Sequence, residues 1–304
     1  MENFKIVKMQ LAALKESREC YRVDMMVSNS TKECEVISAK IAEVSFKINE
    51  LEDLLKTKIH VSVEEPFRCF SKCEFDIPIR LGSVNYIVGG NGCGKTTVLH
   101  KIRAINDSLR ELNLSDRDGM HSVNLDLVKC EPMEVSGIEG TFTHVFALDS
   151  IEDDPSNYIN SATAFGFAAN GGLIVQHRSK GEKSKFMLGS LFSKMQSVLG
   201  FDIEKYKNGE NIKDCTPLIL IDEVDEGIDF KSMMLFDKML SNVCNIFNAT
   251  IMCVTHNPFV CYGSEEGENC PVFDISIMKE TTIAEFTKRE TGVEISVKKE
   301  KTDK

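Results

Sequence analysis

The stretch GGNGCGKTT, residues 89–97, holds the side chains best suited to chemistry. Its spacing, G-x-x-x-x-G-K-[ST], is that of a loop that wraps phosphate groups. Gly89, Gly90, Gly92 and Gly94 let successive backbone N–H groups close around an anion, with Asn91 and Cys93 between them. Lys95 is placed to reach the β- and γ-phosphates of a nucleotide. The Thr96 hydroxyl is placed to ligate Mg²⁺, and Thr97 follows it into the next helix. Cys93 is small enough to fit the loop, and its alkylation is expected to block nucleotide.

A second group of candidates lies downstream. PLILIDEVDEGID, 217–229, begins with an apolar run of the kind that forms a buried central strand, and the run ends in two carboxylates. Asp222 is expected to hold Mg²⁺ through its water shell, and Glu223 to act as general base for an attacking water. ATIMCVTHNPF, 249–259, is another apolar run, closed by Thr255 and His256. A lone histidine here has two readings, a satisfied core residue or a group at the strand edge where nucleotide chemistry takes place. SKGEKS, 179–184, opens a helical run, and its serine, glycine and helix start supply anion donors that nothing in the same chain calls for.

These residues need a frame. SVNYIVGG reads as a buried strand entering the phosphate loop, and VLHKIRAINDSLREL as the helix leaving it. From about residue 61 short β-branched and aromatic runs alternate with helical stretches, the pattern of an α/β domain. Residues 1–60 differ: they contain neither glycine nor proline. Apolar or bulky positions recur there at Phe4, Val7, Leu11, Leu14 and then, after Arg18 at the next seam position, at Tyr21 and Met25. A second series runs Cys34, Ile37, Ile41, Val44, Ile48, Leu51 and Leu55. Both series alternate steps of three and four, the seam of a heptad repeat. They are out of phase across SNST, 28–31, where Ser30 and Glu33 fit a capping box. The spacing predicts an antiparallel helical hairpin with arms of roughly 35–40 Å, either free-standing or packed flat on the α/β domain. The expected organisation is a hairpin over 1–60, the α/β domain over 61–296, and a loose basic tail over 297–304.

Bulk composition narrows the class. The chain has 304 residues, 42% hydrophobic and 27% charged, with a net charge of −11. That balance argues against a broad basic surface for nucleic acid, though not against a local patch. The eleven cysteines are scattered, and Cys69 and Cys73 have no second close pair to complete a zinc site. Free thiols in a reducing compartment are expected, hence a cytoplasmic protein. No apolar run approaches the roughly 20 residues that cross a bilayer.

Taken in order, the phosphate loop, the S-x-G-E stretch, the apolar strand ending in Asp222 and Glu223, Asp229 beyond it, and the strand ending in Thr255 and His256 resemble the ABC-type ATPase superfamily. More narrowly, the wording is similar to the soluble branch that includes SMC, RecF-like and OLD-like proteins, over residues 65 to 295. The resemblance implies a P-loop NTPase head that closes head to tail with a second copy around two ATP. Ser179 and Gly181 of one chain would then contact the γ-phosphate bound at Lys95 of the other. Asp229 would cross the dimer seam, and His256 would hold the γ-phosphate and orient the water.

The chain departs from the pattern in two places. The superfamily's glutamine between loop and signature is missing: of Gln10, Gln176 and Gln196 none lies in the expected region, leaving Asp149 or Glu152 as substitutes. The helical pair precedes the head instead of interrupting it, and the interval from Lys101 to Leu173 is too short for a long coiled-coil arm. The resulting expectation is an Mg-dependent ATPase that drives or regulates a protein partner through the hairpin, such as a nuclease or toxin in anti-phage defence, or a DNA-repair factor. The competing readings are a nucleotide-gated binding module with negligible hydrolysis and a DNA-associated head. Phe67, Phe70 and Lys72 precede the loop where an adenine contact would arise, or belong to plain strand core.

Overall fold

In the computed structural model, residues 2–28, 30–111, 132–138, 141–149, 180–200, 216–223, 230–262, 264 and 267–294 are described. The chain divides into two units, Met1–Thr57 and Lys58–Lys304.

The first unit is a pair of contacting helices, α1 (Glu2–Val27) and α2 (Thr31–Leu54). Their shared core is the heptad seam: Leu11, Ile48 and Leu55 are buried, and Val7, Leu14, Val44 and Leu51 pack against them. Lys15 bridges to Glu52 at 2.9 Å, and the Lys40 ammonium lies 5.5 Å from the Tyr21 ring centre near the turn. The start of α2 corrects the capping-box expectation. Ser30 has the extended backbone of an N-cap, and its carbonyl accepts the Cys34 N–H at 3.0 Å, but its side chain makes no cap bond. Ser28 intercepts the carboxylate instead, donating to Glu33 Oε2 at 2.9 Å and accepting the Ser30 N–H at 3.3 Å.

The second unit is built on a six-stranded sheet. Its strands are β3 (Val84–Val88), β5 (Val145–Asp149), β6 (Leu218–Asp222), β7 (Thr250–Val254), β8 (Pro271–Asp274) and β9 (Lys279–Thr282). Their spatial order is β5-β6-β7-β3-β8-β9, all parallel except for β9, which returns antiparallel beside β8. A smaller sheet orders β2 (Cys73–Arg80), β1 (Lys56–Val63) and β4 (Met133–Ser136), with β1 and β4 antiparallel. The connecting helices are α3 (Lys95–Glu111), α4 (Lys180–Leu199), α5 (Phe230–Phe247), the short α6 (Pro258–Tyr262) and α7 (Ile283–Thr291).

Every residue of β6 and β7 is buried because the sheet is covered on both faces. The strand period of two sorts their side chains into two cores. Ile219, Ile221, Ile251 and Cys253 pack with α4 and α5 residues such as Leu191, Met195, Phe236 and Leu240. Leu218, Leu220, Met252 and Val254 pack with Val98, Leu99 and Ile102 of α3 and with Ile59, Val61 and Ile77 of the smaller sheet. Parallel pairing brings the C-terminal ends of β3, β6, β7 and β8 to one edge. No helix of the described residues is long and apolar enough to cross a membrane.

Candidate nucleotide site

The loop from Gly89 to Gly94 leaves β3 at that edge and runs straight into α3. Its backbone needs glycine where packing is closest. Gly94 has φ 101°, and a Cβ there would lie 2.3 Å from the Phe70 ring. Gly89 has φ 148°, and a Cβ would meet Cys93 Sγ at 2.7 Å and Ser276 Oγ at 2.8 Å. The first helical bond of α3 runs from Val98 N–H to Gly94 O at 3.0 Å. The N–H groups of Lys95, Thr96 and Thr97 are therefore first-turn groups without intrahelical acceptors, the donor set an anion takes up.

Lys95 is buried, and its ammonium is held by the loop it belongs to. Nζ donates to Gly89 O at 2.9 Å and Gly90 O at 3.1 Å, and stands 3.3 Å from His256 Nδ1. An ammonium only donates, so Nδ1 accepts and the imidazole hydrogen sits on Nε2. Nε2 in turn faces the Glu223 carboxylate. Lys95 at the start of α3, and His256 and Glu223 just beyond the ends of β7 and β6, thus form one polar chain, Lys95–His256–Glu223.

Local backbone explains how the two partners arrive there. Glu223 follows the last residue of β6 with φ 51°, left-handed for a non-glycine, and its N–H donates to Val254 O at 3.1 Å. Such a conformation costs about 1–3 kcal/mol and persists where surroundings impose it. His256 is presented by a hydrogen-bonded turn. Thr255 is buried, with its N–H on Ile87 O at 3.2 Å and its Oγ1 accepting the Asn257 N–H at 2.9 Å. Asn257 Oδ1 then accepts the Phe259 N–H at 3.1 Å, and Pro258 opens α6, a position where its missing N–H is no loss.

Asp222 is buried at the end of β6, and its register partner on β5 is Asp149, the residue suggested in place of the missing glutamine. Oxygen donors such as the Asp222 carboxylate and the Thr96 hydroxyl suit Mg²⁺, which takes one or two protein oxygens and keeps water or phosphate for the rest.

A cleft of about 990 Å³ opens over this edge, within the range of small-ligand sites. Asn91, Gly92, Gly94, Lys95, Thr96, Thr97, Glu223 and His256 line it, while Gly89, Gly90 and Cys93 do not. Gly181 is the second residue of α4. Ser179, Asp229 and Glu152 lie outside the described residues.

Six further wall residues escaped the sequence reading: Arg68, Cys69, Met233, Asn257, Pro258 and Phe259. Arg68 and Cys69 form the tip of a turn closed by reciprocal 2.9 Å bonds between Phe67 and Phe70. Arg68 Nη1 donates to Thr97 Oγ1 at 3.1 Å, with φ 53°. Burial holds the Cys69 thiol above its ordinary pKa, with the Cys93 sulfur adding to the effect. Phe70 is core, capping Gly94, and Phe67 has the Arg68 guanidinium 5.3 Å from its ring centre. Nothing in FRCF marks those residues.

No protein-family model matches the chain. No curated protein matches it either. Solved structures do. The chain is similar to the SMC head domain from Thermotoga maritima, at 16% identity over 69% of this chain and 92% of that one, with a TM-score of 0.37. It is similar to an SmcHead bound to the C-winged helix domain of ScpA, at 11% identity over 72% and 93%, TM-score 0.38. A third likeness is to cbiO1 from Clostridium perfringens, part of the ABC transporter complex cbiONQ, at 15% identity over 77% and 92%, TM-score 0.38. The chain is thus similar in fold to these SMC-head and ABC-transporter-complex structures, at low sequence identity.

Proposed function

We propose that this chain binds Mg-ATP in the cleft and hydrolyses it, closing head to tail with a second copy. The observation that carries the reading is the Lys95–His256–Glu223 chain, assembled from the segments that follow three neighbouring parallel strands. Lys95 supplies the charge for β- and γ-phosphate oxygens, and the first-turn amides of α3 supply donors. Bound Mg²⁺, held by Thr96 and Asp222, would neutralise developing charge on the phosphates. His256 leaves Lys95 for the γ-phosphate and positions the water. Glu223 takes the water's proton as its oxygen bonds to the γ-phosphorus and the bond to the β-phosphate oxygen breaks, releasing ADP and phosphate. Gly181, at the start of α4, and Ser179 would complete the other chain's site, with Asp229 at the seam. The helical hairpin would transmit closure to a protein partner, a nuclease or toxin in anti-phage defence or a DNA-repair factor.

Phosphate release and solution mass test this together. Lys95→Ala should abolish nucleotide binding. Glu223→Gln should bind ATP but lose roughly 10²–10⁴ in turnover, and should shift from monomer to dimer only when Mg-ATP is added. Binding without turnover in the parent protein would leave a nucleotide-gated module instead of an enzyme. A mass indifferent to ATP would remove Ser179, Gly181 and Asp229 from the site.

A further inference from the structure

We propose that Ser276 is a positioning residue of this site, locking the Gly89–Gly90 peptide so that its carbonyl steers Lys95, and that the Asp274–Arg289 pair on the far side holds Ser276 in place. The proposal rests on the nucleotide-binding reading above.

β8 lies beside β3, with Val88 opposite Asp274, so it ends against the root of the phosphate loop. The chain then turns through Ile275–Met278 into β9. Ile275 N–H donates to Val88 O at 3.1 Å, fixing the turn to the loop strand, and Ile277 N–H donates to Asp274 O at 3.3 Å within the turn. At its tip, Ser276 Oγ accepts the Gly90 N–H at 3.2 Å. The carbonyl of the same peptide unit, Gly89 O, accepts from Lys95 Nζ at 2.9 Å.

A trans peptide is a rigid plane whose N–H and C=O point in opposite directions. Gripping the N–H from one side therefore aims the carbonyl to the other. With glycine on both sides, this plane is among the freest in the chain to rotate. Without the serine hydroxyl the Gly90 N–H loses its acceptor, and rotation of the carbonyl away from Lys95 is less opposed. The next carbonyl, Gly90 O, holds Nζ at 3.1 Å and would loosen with it.

The serine is itself held. Its N–H donates to Asp274 Oδ1 at 2.9 Å. Asp274 is fully buried and ion-pairs with Arg289 of α7. A buried carboxylate that loses its cation is strongly disfavoured, so the charge on α7 is linked to the loop through Arg289, Asp274, Ser276 and Gly90.

Ser276 is exposed, so truncation leaves no cavity. In Ser276→Ala the Gly90 amide, followed by hydrogen exchange in the nucleotide-free protein, should exchange about three- to tenfold faster, the span of one modest hydrogen bond. KM for ATP should rise by a similar factor while kcat moves less than twofold, because Lys95 holds phosphate in ground and transition states alike. Ser276→Thr, which keeps the hydroxyl, should restore both, and Arg289→Lys should perturb both less than Arg289→Ala. Unchanged Gly90 exchange in Ser276→Ala, or failure of threonine to rescue it, overturns the proposal. If the parent protein bound no ATP, the nucleotide reading would fall, while Gly90 exchange would still decide whether Ser276 pins the peptide.

Discussion

The hairpin and the sheet domain bury apolar residues by different geometry, and their energetics should differ accordingly. Two paired helices share a single interface, and among the described residues the hairpin seam buries Leu11, Ile48 and Leu55. Large apolar side chains remain outside, with Met26 85% and Phe46 63% exposed. A sheet covered on both faces has two interfaces, so all of β6 and β7 is enclosed. Chemistry that needs side chains fixed to fractions of an ångström belongs on the second kind of frame. An arm with few buried contacts is the kind of element that opens locally at low cost.

The sharpest way to break this comparison is to delete matched core atoms. Leu220→Ala, in the middle of β6, should cost about 3–5 kcal/mol, whereas Ile48→Ala in the hairpin should cost about 2–3 kcal/mol because that site collapses more readily. Urea unfolding read by helical circular dichroism and by nucleotide protection would separate them. Equal losses in both signals would mean that the two regions unfold as one.

A smaller effect is expected at the hairpin turn. Ser28→Ala removes the bond to Glu33 and should lower stability by about 0.5–1 kcal/mol. Ser30→Ala should cost about 0.3 kcal/mol or less, although an N-cap serine ordinarily contributes about 1 kcal/mol. Thermal melts of the two variants check the order, and a reversed order would reinstate Ser30 as the cap.

The smallest effect is on the exposed faces. The hydrogen bond from Lys47, and then its charge, lower the Glu43 pKa. A depressed carboxylate stabilises the fold above its unfolded pKa, and that contribution is lost as pH falls through the folded value. Melts of the parent protein and Glu43→Gln should therefore converge as pH drops below the ordinary carboxylate range. They should differ only slightly at neutral pH, since exposed pairs contribute little.

Much of the candidate cleft's lining is legible in the sequence because its parts are local. A glycine-rich loop between strand and helix, or a carboxylate pair after an apolar run, carries its chemistry within about ten residues. The hairpin seam was legible for the same reason, since helical periodicity is a local property. The turn at Ser28 was not, because Ser28 and Ser30 both lie within reach of Glu33 and only backbone geometry chooses between them. Arg68 and Cys69 were missed because their place in the cleft depends on a two-residue turn lying over Gly94.

The sequence by itself determined which residues could bind phosphate, take a proton or line a helical seam, since residue type and short spacing settle those matters. Tertiary structure alone decided that Lys95, His256 and Glu223 meet. It also decided that Asp149 lies beside Asp222 and that a surface serine more than 180 residues away in the chain grips the phosphate loop. The physical reason is strand order: parallel pairing places β6, β7, β3 and β8 side by side, an arrangement set by burial of both sheet faces and written in no single stretch of the chain.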